Sequence, residues 1–538
     1  MMEQWSSHLI ILPILLPLLC GALLILFNRR AFSLRFGLSA VSITVQFFVA
    51  LCLLQLIEKD HWSGGIGVYL AANWVAPFGI ALVADRLAVL MLLLTSVLGL
   101  GAIWYSWVRW GRVGVHYFSL FQFLLMGLNG AFLTGDLFNL FVFFEVMLAA
   151  SYGLVLHGYN SNRVRAGMQF IVVNLLCSSL FLIGIALIYA ATGTLNMADI
   201  AARTAQLELA DRQLLHVATA ILAVTFLTKS AIWPLSFWLP TTYSAASPPV
   251  AAMLVLVTKV GIYTVLRLWS LVFSSDAGGS AGFGSTAMLW GGAITIGFGL
   301  IGMFASQEPG RLASYSAIIS SGTLLAVISY GQAALTSAAL FYLLSSTLAV
   351  AAFMLLIELI ERIRNPAAAM LALTMEAFAM EDEPTESAGV PIPGALAFLG
   401  LAFAGCSLLM AGMPPLSGFI AKFTIFHALL TEHAETSLGY AGWGLMALIV
   451  ISGLASVIAL MRFGVRTFWA APVVKAPHLQ ITEAAPIFAL LLICVIFTVQ
   501  AGPLKRYLDR TATALHEPHH YIQQVLAQPA VSSKGETP

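Results

Sequence analysis

Residues 226–240 read Phe226-Leu227-Thr228-Lys229-Ser230-Ala231-Ile232-Trp233-Pro234-Leu235-Ser236-Phe237-Trp238-Leu239-Pro240, a lysine inside an apolar run with a proline five residues later. The surrounding segment is long enough to cross a bilayer, where an ammonium at mid-depth costs roughly 2.5 kcal/mol or more. Pro234 has no backbone donor and breaks the helix beside that charge. Charge and broken backbone are tolerated together where they line a polar cavity in protein, not where they face lipid. The stretch therefore predicts a charge-lined ion path in a polytopic membrane protein, and the rest of the chain should supply partners for Lys229.

Composition points the same way. The chain has 538 residues, 60% of them hydrophobic and 9% charged, with a mean hydropathy of +0.93; soluble domains carry about 25% charged residues. A formal net charge of +1 excludes a nucleic-acid surface as its main business. Cys20, Cys52, Cys177, Cys406 and Cys494 are isolated in apolar runs, without the spacing of a disulfide framework or a zinc or iron–sulfur site. No Gly-rich phosphate loop, hydrolase triad or metal-ligand cluster is legible. The expectation is an ion transporter subunit that is not an enzyme and holds no metal or cofactor.

Apolar runs of about 20 residues predict an all-α protein of fourteen spans. The first eight lie near 7–27, 34–57, 80–107, 115–133, 137–157, 167–191, 213–240 and 245–270. The last six lie near 283–305, 310–330, 335–360, 393–431 (long and broken), 440–468 and 482–502. Glu3 precedes the first run with no Lys or Arg, whereas Arg29 and Arg30 follow it, so no cleavable signal is expected. Alternate loops collect the basic residues, among them Arg35, Arg109, Arg112, Arg163, Arg165, Arg311, Arg362, Arg364, Arg462, Arg466 and Lys475. The opposite loops hold little beyond Lys59, Arg203 and Arg212, so both termini should be external. Lys505, Arg506 and Arg510 after Pro503 are the exception.

Outside the spans, 192–212 reads as a turn and a short amphipathic helix on the outer surface. Residues 363–392, acidic and proline-bearing, read as a cytoplasmic loop. The tail from Thr511 reads as poorly ordered. Pro234-Leu235-Ser236-Phe237 recurs as Pro415-Leu416-Ser417-Gly418-Phe419, with Lys229 beside the first and Lys422 beside the second. Paired broken segments in two halves point to an inverted-repeat transporter. The echo is imperfect, since Lys229 precedes its break and Lys422 follows its own.

The ionisable residues well inside spans are Glu145, Lys229, Lys259 and Lys422, with His427 one turn beyond the last. The bland reading of each is a side chain near an interface that snorkels; apolar neighbours on both sides of Glu145 weigh against it, and His427 fits a polar entrance. Lysine suits proton transfer because its charge responds to solvation and to a nearby carboxylate. If Glu145 moved relative to Lys229, proton affinity would switch, and lysines on successive spans would pass protons laterally. Helper hydroxyls include Thr228, Ser230, Ser236, Thr241, Thr242, Tyr243, Thr258, Ser345, Ser346, Ser417 and Thr424, although Ser and Thr commonly just bond the preceding turn. Asp136 and Asn139 fit a helix cap. Asp85–Arg86 reads as an outer-surface ion pair, and Arg267, Glu358, His116 and His157 as interfacial.

Leu133-Thr134-Gly135-Asp136-Leu137-Phe138-Asn139, continuing through Phe143-Phe144-Glu145-Val146-Met147-Leu148-Ala149-Ala150-Ser151-Tyr152, resembles the fifth-helix signature of antiporter-like subunits. The Lys229 and Lys259 segments, and Pro414-Pro415-Leu416-Ser417-Gly418-Phe419-Ile420-Ala421-Lys422, resemble the seventh, eighth and twelfth helices of that superfamily. It spans Mrp-type cation/proton antiporters and the proton-pumping subunits of respiratory NADH dehydrogenase, and the likeness covers roughly residues 80–470. Within it the chain is most similar to the D-type (MrpD) branch of multisubunit Na⁺/H⁺ or K⁺/H⁺ antiporters. The resemblance implies fourteen helices, two inverted five-helix repeats, and broken helices seven and twelve at Pro234, Pro414 and Pro415. It divides the chain into 1–110 (helices one to three), 111–270 and 280–470 (the repeats, the second carrying loop 363–392), and 480–538 (helix fourteen and an external tail).

The resemblance also implies roles: Glu145 and Lys229 as the gating pair, Lys259 as central carrier and Lys422 as terminal group. Where several relatives carry histidine on the eleventh helix, this chain has Tyr342, Ser345 and Ser346, leaving water or hydroxyls to bridge Lys259 and Lys422. Implied partners are subunits of the A, B, C, E, F and G types, the lipid of a bacterial inner membrane, and H⁺ exchanged for Na⁺ or K⁺. The alternatives are a proton-pumping subunit of an NADH dehydrogenase-like or membrane-bound hydrogenase complex, and a scaffold that no longer conducts. Four retained intramembrane charges weigh against the scaffold.

Overall fold

The computed structural model describes residues 6–158, 160–364, 393–432, 439–468 and 479–529. The acidic stretch 365–392, Lys475 and the last nine residues lie outside them.

In chain order the helices that build the bundle are α1 (Leu12–Ile25), α2 (Phe32–Glu58), α3 (Arg86–Ser106), α4 (Tyr117–Leu133), α5 (Leu137–Val155) and α6 (Ser161–Thr192). Next come α7 (Leu209–Lys229), α8 (Trp238–Ala245), α9 (Pro248–Val272), α10 (Ser285–Ala305), α11 (Pro309–Ile328) and α12 (Ala333–Arg364). The last six are α13 (Pro393–Ala411), α14 (Ser417–Glu432), α15 (Tyr440–Phe468), α16 (Ile481–Val499), α17 (Ala501–His516) and α18 (Pro518–Leu526). Among the described residues, 12 helices are long and apolar enough to cross a membrane; Leu12–Ile25 and Tyr117–Leu133 are shorter apolar helices. Ser417–Thr431 is a third shorter apolar helix, so the described residues establish a many-span helical bundle and not the expected number of fourteen.

Burial sorts the bundle into centre and rim. The apolar window of α9 is 100% buried and that of α12 94%, against 28% for α16. A helix apolar all round belongs in a core, so Lys259 on α9 faces protein on every side. α12 packs on α9, α11, α13, α14 and α16, which makes it the helix the second half is assembled around.

One face gathers the small elements. Strands β1 (Gly67–Leu70) and β2 (Ala81–Ala84) pair antiparallel, and Leu82 bridges to Thr134. Asp136 caps α5 by accepting from the Asn139 N–H (2.9 Å), as expected, and bridges to Asn196 at the start of the short helix Met197–Thr204.

Of the tail from Thr511, the described part corrects the expectation of poor order: it is helical to Leu526, continuing α17 to His516 and adding α18. The reason is a stripe at helical spacing (Leu508, Thr511, Ala512, Leu515), buried as α17 lies across α12. Its basic residues, the exception to the charge bias, are partly neutralised there: Lys505 pairs with Asp509, and Arg510 with Glu58.

Two further expectations are corrected. Asp85 pairs with Arg267 rather than Arg86: both its oxygens accept from that guanidinium (2.6 and 2.7 Å), while Arg86 turns to Glu58 (3.2 Å). A capping carboxylate at the start of α3 faces inward toward α9, so its sequence neighbour is poorly placed to meet it. Glu358 lies near the end of α12, as expected, but inside the protein rather than at an exposed surface: it is buried and accepts from Tyr105, Arg109, Trp110 and Arg362.

Candidate functional site: two broken helices and a line of hydroxyls

The two breaks have corresponding geometry. α7 closes with the Ile232 N–H donating to Leu227 O (2.9 Å), and α13 with the Met413 N–H donating to Leu408 O (3.0 Å). Both are Schellman-type endings, which place the preceding residue in the left-handed region. Gly412 occupies it at φ 73°, where glycine has no penalty; Ala231 occupies it at φ 54°, at a cost of roughly 1–2 kcal/mol. Strain of this kind persists where surrounding structure enforces it, commonly at functional positions.

The next helix approaches each break through a glycine. A Cβ on Gly261 of α9 would lie 2.2 Å from Ser230 Oγ and 2.7 Å from Phe226 O. A Cβ on Gly453 of α15 would lie 2.8 Å from Ala411 O and 3.1 Å from Lys422 Nζ. The freed backbone is satisfied differently in the two halves. Trp238 Nε1 donates to Thr228 O (3.1 Å) at the first break, and Lys422 Nζ to Ala411 O (2.7 Å) at the second. Lys422 Nζ is thus buried against a helix C-terminus, where the macrodipole favours positive charge.

Lys229 is 3% exposed, with Nζ 5.1 Å from the centre of the Phe144 ring and no hydrogen-bond acceptor among the described residues. Glu145, half-buried on α5, accepts from Ser178 Oγ on α6. The two expected partners of the gating pair are therefore not in contact. Each is held by something else: a ring face for the ammonium, a hydroxyl for the carboxylate. Thr228 bonds Val224 O in the preceding turn (2.7 Å), the bland role for a helical threonine.

Lys259 carries the most connected position. Its Nζ donates to Ser320 Oγ (2.8 Å) on α11, with Ser321 Oγ at 3.4 Å. Ser320 Oγ in turn meets Ser346 Oγ on α12 (2.9 Å). The neighbouring Ser345 Oγ meets Ser417 Oγ (2.8 Å), the first residue of α14. Five residues further along α14 is Lys422. No direct hydrogen bond among the described residues joins Ser346 to Ser345, or Ser417 to Lys422. Each serine hydroxyl both donates and accepts, so the line suits proton transfer. His427 is exposed, beside Phe423, and stands apart from it.

Reasoning from sequence missed Ser178, Ser320 and Ser321. The one available signal was the doublet Ser320-Ser321, matching Ser345-Ser346 in a neighbouring apolar helix.

Comparison with known proteins follows the same lines. The family described as NADH:quinone oxidoreductase/Mrp antiporter, TM, matches residues 134–458. The D-type subunit of a probable K⁺/H⁺ antiporter of Rhizobium meliloti is 52% identical over 539 residues, covering 99% of this chain and 100% of the relative. The D-type subunit of a Na⁺/H⁺ antiporter of Alkalihalophilus pseudofirmus is 33% identical, covering 97% and 100%. Among solved structures, a chain of the Mrp complex from a Dietzia species superposes with a TM-score of 0.82 at 24% identity, covering 97% of this chain and 99% of that one. A chain of respiratory complex I from Thermus thermophilus gives a TM-score of 0.68 at 19% identity, covering 93% and 98%, a likeness of fold. With a family match across most of the bundle and end-to-end identity to D-type relatives, the chain belongs to the NADH:quinone oxidoreductase/Mrp antiporter transmembrane family, in its D-type antiporter branch.

Proposed function

We propose that this chain is the proton-conducting subunit of a multisubunit monovalent cation/proton antiporter, exchanging cytoplasmic Na⁺ or K⁺ for external H⁺. The observation that carries the reading is the hydroxyl line from Lys259 through Ser320 and Ser346, with Ser345 and Ser417 leading toward Lys422 beside the second break. Lys259 is the central carrier and Lys422 the terminal group. Glu145 and Lys229 form the gate, in a state where the carboxylate rests on Ser178 and the ammonium on Phe144. Motion of either side chain toward the other would stabilise charge on Lys229 and change what it passes on. A lone buried ammonium is costly, which gives that motion a driving force.

In this reading the subunit is not itself an enzyme and works with partners of the A, B, C, E, F and G types in a bacterial inner membrane, both termini external. The repeats are 111–270 and 280–470, flanked by 1–110 and 480–538. The redox-complex alternative shares the fold, but the identity to D-type antiporter relatives over 97–99% of the chain favours the antiporter.

The test uses inverted vesicles carrying the whole complex and follows cation-induced ΔpH with Na⁺, K⁺ and Li⁺ in turn. Lys229→Ala and Glu145→Ala should each abolish most of the signal while the complex still assembles. Wild-type antiport in either variant would sink the assigned gate.

A further inference from the structure

The helix that carries Ser345 and Ser346 is fastened at its cytoplasmic end by a buried charge cluster outside the relay. Glu358 on α12 is 8% exposed, and its two oxygens accept from four donors. Oε1 takes Arg109 Nη1 (3.0 Å) and Arg362 Nη2 (3.3 Å); Oε2 takes Trp110 Nε1 (2.8 Å) and Tyr105 OH (3.2 Å). Arg362 is held in turn by Glu483 of α16 (2.6 and 2.9 Å). A carboxylate with every acceptor direction filled has no lone pair spare for transport, so this cluster holds position.

Trp110 also reaches the other half of the bundle. Its carbonyl oxygen lies 3.0 Å from His157 Nε2, just past the end of α5. Its ring lies under the guanidinium of Arg163, 4.7 Å from the ring centre. Arg163 donates to His157 O (3.0 Å) and Gly158 O (2.8 Å) beyond α5, and to Ala245 O (2.8 Å) at the end of α8. One residue thus links the helix of Glu145 and the second half of the broken seventh crossing to the helix of the hydroxyl line.

We propose that Trp110 and Glu358 are positioning residues that lock the register of the Ser345–Ser346 hydroxyls to the helix carrying Glu145. The inference rests on the relay reading of the proposed function. Glu358 lies twelve residues from Ser346, about 18 Å along the helix, and the two share no partner. Substitutions so far apart ordinarily act independently, so dependence between them is diagnostic.

The experiment measures cation-induced ΔpH in vesicles carrying the whole complex, normalised to assembled complex, for Trp110→Phe, Ser346→Ala and the double variant. Trp110→Phe keeps an aromatic ring for the guanidiniums and removes the N–H; Glu358→Gln keeps the shape and serves as the second variant. Expected are a loss of about two- to tenfold in maximal rate for each single variant, an unchanged half-saturating cation concentration, and no further loss when either is combined with Ser346→Ala. A loss in the double variant equal to the product of the single losses overturns this inference and leaves the relay standing. Wild-type rates for Trp110→Phe and Glu358→Gln overturn it as well. Wild-type rates for Ser346→Ala overturn the relay, and this inference with it.

Discussion

At the scale of single residues, Ser320 is where the relay is most exposed to test, because its hydroxyl lies 2.8 Å from Lys259 Nζ and 2.9 Å from Ser346 Oγ. If it connects Lys259 to α12, Ser320→Ala should lower the antiport rate by about two- to tenfold, the range for losing one hydrogen bond. Ser321, at 3.4 Å, is too far to replace it fully. Ser320→Thr keeps the hydroxyl and should retain most of the rate. The check is the initial rate of cation-induced ΔpH; equal rates for the alanine and threonine variants would remove Ser320 from the line. Such a residue is hard to find in the sequence, since most helical serines only bond the turn before them. Glu145, Lys229, Lys259 and Lys422 are legible there because an ion inside an apolar run needs a reason to be present. Glu358 and Asp85 were misread for another reason: their partners come from distant segments, Trp110 and Arg109 for one and Arg267 for the other. Proximity in sequence suggested Arg86 and the membrane surface instead.

At the scale of elements, the broken helices were legible and their surroundings were not. Pro234 and the Pro414-Pro415 pair mark where α7 and α13 must stop. The partners that allow the stop are glycines on neighbouring helices, and a glycine in an apolar span gives no hint of what it touches. Gly261 and Gly444 look alike in sequence, yet a Cβ on Gly261 would strike Ser230 and Phe226 O, while one on Gly444 meets nothing within 4 Å. Gly261→Ala should therefore force α9 away from the first break, a cost of about 1–3 kcal/mol for overpacking, and Gly444→Ala should be near neutral. Thermal unfolding of the purified complex separates the two: a lowered midpoint for the first alone is expected. Equal midpoints would mean that α9 has room to move, and the close approach would then carry no weight in fixing Lys259.

At the scale of the whole molecule, the proposed orientation rests on the charge bias of the loops and can be tested against the folded arrangement. The hairpin β1–β2, the start of α5, the helix Met197–Thr204 and α18 meet on one face through the Leu82–Thr134 and Asp136–Asn196 bridges and the packing of α18. The loops on that face are those poor in Lys and Arg. The opposite end collects Arg109, Arg163 and Arg362 around Trp110 and Glu358, and in the proposed orientation, with both termini external, that end is cytoplasmic. The assignment has a direct consequence for the relay, since it puts the α17–α18 strap outside and the Glu358 cluster inside. In a cysteine-free background, Ser63→Cys beside the hairpin and Asn162→Cys at the start of α6 introduce thiols at opposite ends. A membrane-impermeant maleimide applied to intact cells should label the first and spare the second, and inverted vesicles should reverse the pattern. Labelling of Asn162→Cys from outside would turn the molecule over. External protons would then meet the Trp110–Glu358 cluster first, and the external mouth of the relay would have to be sought at that end.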